Sequence, residues 1–239
     1  MPNALKDVRT ALRKVATAER AAGCANFFKC GPGQYGEGDV FLGVTVPQTR
    51  AIAKTCKDLT FDELAELLAS KFHEERSLAL IVLVERFTRS RDEAMRRAIY
   101  EFYFANVAGI NNWDLVDVSA PYIVGGYLES RSRAPLHKLA KSKNLWERRI
   151  AIVATWWLIR RDDYDDCLTL CETLIADKHD LIHKACGWML REVGKRDTAT
   201  LERFLAIHHR RLPRTALRYA IERFPPERRK AYLTGYKQP

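Results

Sequence analysis

The sequence predicts an all-α fold, a solenoid of antiparallel helix pairs, and three observations point to it. Apolar residues recur at helical spacing along nearly the whole chain. Strand signal is nearly absent, and Gly 12 with Pro 9 in 239 residues punctuates turns too sparsely for a sandwich or barrel of many short strands. Four segments also look alike: aligning Ser77-Leu-Ala-Leu, Arg149-Ile-Ala-Ile, Lys184-Ala-Cys-Gly and Thr215-Ala-Leu-Arg gives separations of 72, 35 and 31 residues, the first close to twice the second. A helical pair repeating every ~30–47 residues cannot bury its apolar face alone and stacks on its neighbours, as HEAT-like or armadillo-like repeats do. With 47% hydrophobic and 29% charged residues the chain folds around a core, which excludes disordered and fibrous classes. It is read as a single repeat domain over 1–239.

The elements follow in order. Asp39 to Val46 alternates Val40, Leu42, Val44 and Val46, but Pro47 ends the run with no evident partner strand, so the segment reads as an extended connector. Pro47 suits the first turn of a helix containing Ile52 and Ala53. Thr60 and Glu63 form a capping box ahead of Phe61, Leu64, Leu67 and Leu68. Helical segments then follow at about 74–88, 91–107, 113–129, 134–142, 146–161, 164–176, 180–195, 198–209, 213–223 and 226–234. Asn111 or Asn112 caps the third of these. The longest apolar run, Ile150 to Ile159, is far short of the ~20 residues that span a bilayer and reads as a buried helix. Lys6, Arg9, Arg13 and Lys14 stand near the N-terminus without the apolar stretch of a secretory signal, so a cytoplasmic protein is expected. The six cysteines read as reduced thiols.

Charge indicates the partner. The net charge is +10, and from Leu201 to Pro239 ten Lys or Arg stand against three Glu, so +7 of the excess lies at the C-terminal end. A basic surface of this kind is either a solvated face or a site for a polyanion. In a solenoid the second helix of each pair lines the concave surface, and Arg149, Lys184 and Thr215 begin those helices. Two of the three are cationic, which suits a cradle for duplex DNA.

Much common chemistry is missing. There is no phosphate-binding Gly-rich loop ending in Lys-Ser/Thr, no dinucleotide-binding Gly pattern, no His-Glu-x-x-His and no paired Cys-x-x-Cys. His179 with His183, and Cys167 with Cys171, stand four apart on predicted helices, but no third ligand has a persuasive spacing, so both pairs read as structural and no metal is expected. What remains is tryptophan beside charge. Trp113 and Asp117 are one turn apart on one helix face, Trp146 and Arg149 are three apart, and Lys184 and Arg191 bracket Trp188. A lone Trp is more often core than site. Ring faces attract cations, a carboxylate stabilises positive charge and Arg holds phosphate bidentately, so the recurrence suits a cationic reacting centre on a phosphodiester backbone.

At these residues the chain resembles the AlkD-type DNA glycosylases, the DNA alkylation repair family built on HEAT-like repeats. The resemblance runs from Gly31-Pro-Gly-Gln-Tyr-Gly-Glu-Gly-Asp39 and Phe41-Leu-Gly-Val44, with Pro47 and Arg50, through Trp113-Asp-Leu-Val-Asp117 and Asn144-Leu-Trp-Glu-Arg-Arg149, to Lys184-Ala-Cys-Gly-Trp188-Met-Leu-Arg-Glu192. It implies a monomeric enzyme that binds duplex DNA and hydrolyses the N-glycosidic bond of N3- or N7-alkylated purines, with no metal or organic cofactor and without flipping the base. Carried over position by position, it places the catalytic carboxylate on Asp117, the cleft tryptophans on Trp113 and Trp188 and the phosphate-holding arginine on Arg149. Arg148, Lys184, Arg191, Arg50 and Phe27 complete the expected DNA contacts. Arg148 is either a phosphate contact or a solvated neighbour, and Phe27, in place of a tyrosine in some members, also suits core packing. Asn112 and Thr45-Val46 depart from some relatives and bear on fine DNA contacts. Two other classes remain: a non-catalytic HEAT-repeat protein that recognises damaged or branched DNA, and a protein-binding scaffold. The resemblance at Asp117, Trp113 and Trp188 argues against both.

Overall fold

Leu5, Val8 and Leu12 recur at helical spacing, and on Ala4–Val15 (α1) all three are buried. The computed structural model describes residues 4–56 and 58–234, which gather into two compact units, Met1–Ile123 and Val124–Pro239. In the first unit α1 is followed by Ala18–Phe27 (α2), Val46–Ala53 (α3), Phe61–Leu68 (α4), His73–Arg89 (α5), Glu93–Ala105 (α6) and Trp113–Ala120 (α7). Helices α1, α3, α5 and α7 pack in succession, and α4 and α6 also pack on α5. The Thr60 capping box forms as the sequence predicts: Glu63 N–H donates to Thr60 Oγ1 at 3.2 Å and Thr60 N–H to Glu63 Oε2 at 2.7 Å. Thr45 and Gln48 make a second box, with Pro47 inside the first turn of α3. Helices α1 and α2 stand where the sequence reading assigned none. Segment 39–45 is extended, with Val46 already in α3, and its one pairing among the described residues is a single bridge from Val40 to Phe72.

The second unit holds Gly126–Leu128 (α8), Ala134–Leu139 (α9), Leu145–Ala154 (α10), Trp156–Ile159 (α11), Asp165–Thr173 (α12), Asp180–Arg196 (α13), Thr198–His208 (α14), Arg214–Ala220 (α15) and Pro226–Leu233 (α16). Here α10, α13 and α15 pack in succession, while α9 packs on α10, α12 on both α10 and α13, and α14 on α13. This neighbour-to-neighbour packing within each unit is the all-α, solenoid-like arrangement that the repeat spacing predicts. Two predicted helices are interrupted. Segment 146–161 divides at Thr155, whose hydroxyl turns back to the Ile152 carbonyl at 2.6 Å. Segment 113–129 widens into a π turn at Pro121–Gly125. Pro121 has no N–H to donate to the carbonyl of Asp117, four residues earlier, so the α ladder is broken there.

The repeat extends to side chains. Ser77, Arg149 and Lys184 are each the fifth residue of their helices, and the residue before each reaches back to a carbonyl six positions earlier. Arg76 Nη1 donates to Ser70 O at 2.8 Å, Arg148 Nη1 to Ser142 O at 3.0 Å, and His183 Nε2 lies 2.5 Å from Asp177 O. Each bond closes the turn that enters its helix. No helix among the described residues is long and apolar enough to cross a membrane. The basic C-terminal stretch is described through Thr234; its last lysine, Lys237, lies outside the described residues.

Candidate active site

Helix α7 carries both Trp113 and Asp117, and its first turn is held unusually firmly. Asn112 is the cap, its Oδ1 accepting from Trp113 N–H at 2.8 Å. Its Nδ2 donates to Asp39 Oδ2 at 2.9 Å, so the cap is itself anchored, and Asn112 is fully buried. Asp114, the second residue of the helix, meets His73 Nε2 at 2.8 Å through Oδ2. His73 reaches Asp39 Oδ2 from its other nitrogen, Nδ1, at 3.0 Å, and the Arg76 guanidinium pairs with Asp39 Oδ1. Asp39, from the extended segment, thus joins the starts of α5 and α7.

These charges are nearly dry, so their ionisation depends on one another. Burial opposes a charge on His73, but the hydrogen bonds and charges of Asp114 and Asp39 prevail and lift it to about 9. Burial likewise opposes ionisation of Asp39, and the His73 hydrogen bond, the Arg76 charge and the Asn112 amide bring it down to about 2. At neutral pH His73 is an imidazolium donating from both nitrogens. Glu74 and Glu75, next along α5, are buried as well. The Glu74 carboxylate accepts the backbone N–H groups of Leu42, Gly43 and Val44 at 2.9, 2.8 and 3.1 Å, and Glu75 Oε2 accepts from Arg9 Nε at 3.1 Å. Gly43 has φ +81, and a Cβ there would stand 2.1 Å from the Thr17 carbonyl, so only glycine fits the segment that Glu74 holds.

Rings connect this network to Trp113. His73 stacks on Phe41 at 4.5 Å between centroids, Phe41 on Phe28 at 5.0 Å, and Phe28 on Trp113 at 5.2 Å. Phe27 meets Trp113 edge-on at 5.9 Å and remains 65% exposed. Phe28 therefore fills the packing role that the sequence offered to both phenylalanines, and Phe27 projects outward beside Trp113. Trp113 and Asp117, one turn apart on α7, are both half-buried. Arg50 is exposed on α3 and has no ion-pair partner among the described residues.

The other predicted residues lie in the second unit. Arg149, on α10, is 4% exposed and donates from Nη1 to the Leu181 carbonyl at the start of α13, 2.6 Å away. Arg148 is bound on two edges, by Asp177 at 2.6 Å and by the Ser142 and Lys143 carbonyls at 3.0 Å each. On α13, half-buried Trp188 donates from Nε1 to Glu192 Oε1 at 3.1 Å, Lys184 pairs with Asp180 at 2.7 Å, and Arg191 pairs with Glu222. The structure therefore brings Phe27, Trp113 and Asp117 together in the first unit and joins α10 to α13 through Arg149 in the second.

The sequence reading missed Asp39, His73, Glu74 and Arg76 as a constellation. Asp39 stood in a quoted motif, but His-Glu-Glu-Arg at a helix start carries no local sign of burial. The pairs His179–His183 and Cys167–Cys171 have structural settings. His179 caps α13 by accepting from Leu181 N–H at 3.1 Å, and Cys167, Cys171 and Cys186 are buried free thiols. Among the described residues no three His, Cys, Asp or Glu side chains gather as metal ligands would.

A family model described as DNA alkylation repair enzyme matches residues 8–224. The fold is shared with a solved structure described as a predicted DNA alkylation repair enzyme from Enterococcus faecalis. The two chains are 18% identical with a TM-score of 0.66, over 88% of this chain and 97% of that one. No curated protein matches the chain.

Proposed function

The chain belongs to the DNA alkylation repair enzyme family, and on that premise we propose that it is a DNA glycosylase that removes N3- or N7-alkylated purines from duplex DNA. The observation that carries this reading is the half-buried pair Trp113 and Asp117, one turn apart on a helix whose start is fastened at Asn112 and again at Asp114. An N3- or N7-alkylated purine is already cationic, so it leaves without a strong general acid. The protein must stabilise an oxocarbenium-like sugar and direct water to it. Ionised Asp117 does the first by charge and the second by accepting a hydrogen bond from the water. Water oxygen bonds to C1′, the electron pair of the C1′–N bond passes to the departing base and neutralises it, and the water proton leaves by way of Asp117 to solvent. Because water is the only co-reactant, no step is routed through a metal or organic cofactor.

The faces of Trp113 and Trp188 favour the cationic deoxyribose. Arg149, oriented by the Leu181 carbonyl, holds a neighbouring phosphate, and Lys184, Arg191, Arg50 and Phe27 meet the backbone, while Arg148, held by Asp177 and two carbonyls, supports the turn that enters α10. In this scheme the lesion reacts without being flipped, so bulky cationic adducts are accepted and neutral lesions are not.

The test is release of free base from duplex DNA carrying one 7-methylguanine, under single-turnover conditions, by the native protein and by Asp117→Asn. Release by the native protein, lost in the variant with DNA binding retained, is the expected result. Tight, salt-sensitive binding without release by the native protein identifies a non-catalytic binder of damaged or branched DNA instead.

A further inference from the structure

Three buried ionisable side chains and a half-buried fourth stand where a cap alone would start α7. Asn112 already satisfies the first amide of the helix, yet Asp39, His73, Arg76 and Asp114 are arranged around it, and His73 is only 3% exposed. Ion pairs taken out of water are costly, and apolar side chains of similar volume usually hold a core at least as well. What such a network provides that apolar packing does not is direction: each bond has one length and one angle, and together they admit one placement of the helix.

We infer that His73 is a positioning residue for α7: by bridging Asp39 and Asp114 it fixes the turn that bears Trp113 and, one turn on, the carboxylate of Asp117. The inference rests on the glycosylase reading for its effect on rate, and on geometry alone for its effect on α7. His73 acts on both sides of Trp113. It stacks on Phe41, whose partner Phe28 stacks on the Trp113 ring, and it bonds Asp114, the residue after Trp113. Ring and backbone of Trp113 are thereby referred to the same imidazole. Among the described residues Asp114 Oδ1 is buried without a hydrogen-bond partner and the His73 contact through Oδ2 is the carboxylate's one attachment. The α7 ladder is interrupted just beyond Asp117 by Pro121, so the bonds of the first turn fix the end of the helix that bears Trp113, while Ser119 and the apolar face hold the rest against its neighbours.

The groups that face His73 define its titration. Asp39 from the extended segment and Asp114 from α7 bond its two nitrogens, Arg76 pairs with Asp39, and Glu74 and the Cys24 and Cys30 thiols lie beyond them. Arg76 is paired with Asp39 and Glu74 is occupied by three backbone amides, so the bridge opens when His73 itself loses its proton, as pH rises through about 9.

The experiment pairs single-turnover release of 7-methylguanine with hydrogen exchange at the amides of residues 113–116, for the native protein, His73→Gln and Asp114→Asn, from pH 7 to 10. The native rate is expected to fall as pH rises through about 9, and the protection of the amides of 113–116, relative to their intrinsic base-catalysed exchange, to fall over the same range. His73→Gln is expected to react about 10-fold to 100-fold more slowly at pH 7, without that alkaline fall and with DNA affinity unchanged. Its exchange should rise at 113–116 and stay native in α4 and in the second unit. Asp114→Asn keeps His73 with Asp39, and it should loosen the same turn; it serves as the deciding variant if His73→Gln does not fold. A folded His73→Gln, or in its place Asp114→Asn, with native exchange at 113–116 overturns the inference. So does an alkaline fall that persists in the variants. If the native protein releases no base while the exchange behaves as described, the glycosylase reading fails and the positioning of α7 by His73 stands.

Discussion

The Phe28 and Trp113 rings stack with their centroids 5.2 Å apart and their planes 20° from parallel, joining the end of α2 to the start of α7. Phe28 is therefore both packing and support, while its neighbour Phe27 touches the same indole only by an edge and faces solvent. Phe28→Ala should lower the stability of the protein by about 2–3 kcal/mol, since it removes a half-buried ring with three aromatic neighbours. Phe27→Ala should change stability by less than about 0.5 kcal/mol. Urea unfolding of the two variants measures the contrast, and equal losses would contradict the division of labour.

The buried network makes stability depend on pH at both ends. His73 is raised from 6.5 to about 9 in the folded protein, so its contribution is complete below pH 6.5 and is lost as pH rises through about 9. Asp39 is lowered from 3.8 to about 2, so its contribution is present above pH 3.8 and is lost as pH falls through about 2. The alkaline loss should be on the order of 3 kcal/mol. Chemical unfolding between pH 6 and 10 measures it; His73→Gln should flatten that limb and, because the His73 hydrogen bond also holds Asp39 down, weaken the acid limb as well.

In the second unit the approach of α13 to α15 depends on Gly187. A Cβ there would lie 2.4 Å from the Ala216 carbonyl oxygen and 2.5 Å from Tyr219 Cβ. Alanine gains about 1 kcal/mol over glycine inside a helix. Backbone in contact yields less readily than a flexible side chain, so Gly187→Ala should still destabilise, by about 1–3 kcal/mol. A thermal melt that rises in this variant would show that the two helices separate more easily than their packing implies.

Arg50 and Arg148 separate surface charge from internal charge. Arg50→Ala should leave stability unchanged, weaken binding equally to alkylated and plain duplex DNA, and make the salt dependence shallower by about 1 in slope. Arg148→Ala should instead cost about 2–3 kcal/mol of stability, because Asp177 and two carbonyls lose their donor. Salt titrations of DNA binding, alongside unfolding of each variant, distinguish the two outcomes.

Local rules made much of this molecule readable. The capping box at Thr60 and Glu63, Pro47 in the first turn of α3 and the Asn112 cap concern residues within a turn of one another and appear in the folded chain as expected; of the repeat, Ser77, Arg149 and Lys184 share one register, fifth in their helices rather than first, and Thr215, second in α15, departs from it. The amphipathic pattern of α1 is equally present in Leu5, Val8 and Leu12, where the cations Lys6, Arg9, Arg13 and Lys14 stand among the apolar positions. Trp113 and Asp117 on one face of one helix followed from their spacing.

Sequence alone therefore determined the helices, their repeat and the pair of residues on α7, since helical periodicity and capping are properties of neighbours. Tertiary structure decided which charges are dry. His73-Glu74-Glu75-Arg76 looks like the solvated start of a helix, and it is buried because Asp39, 34 residues before His73, Asp114, 41 residues after it, and Arg9, 66 residues before Glu75, supply its partners. A charge leaves water only when an opposite charge or a set of donors waits at the right distance, and that distance is set by the packing of α1, α5 and α7 rather than by any run of residues within them.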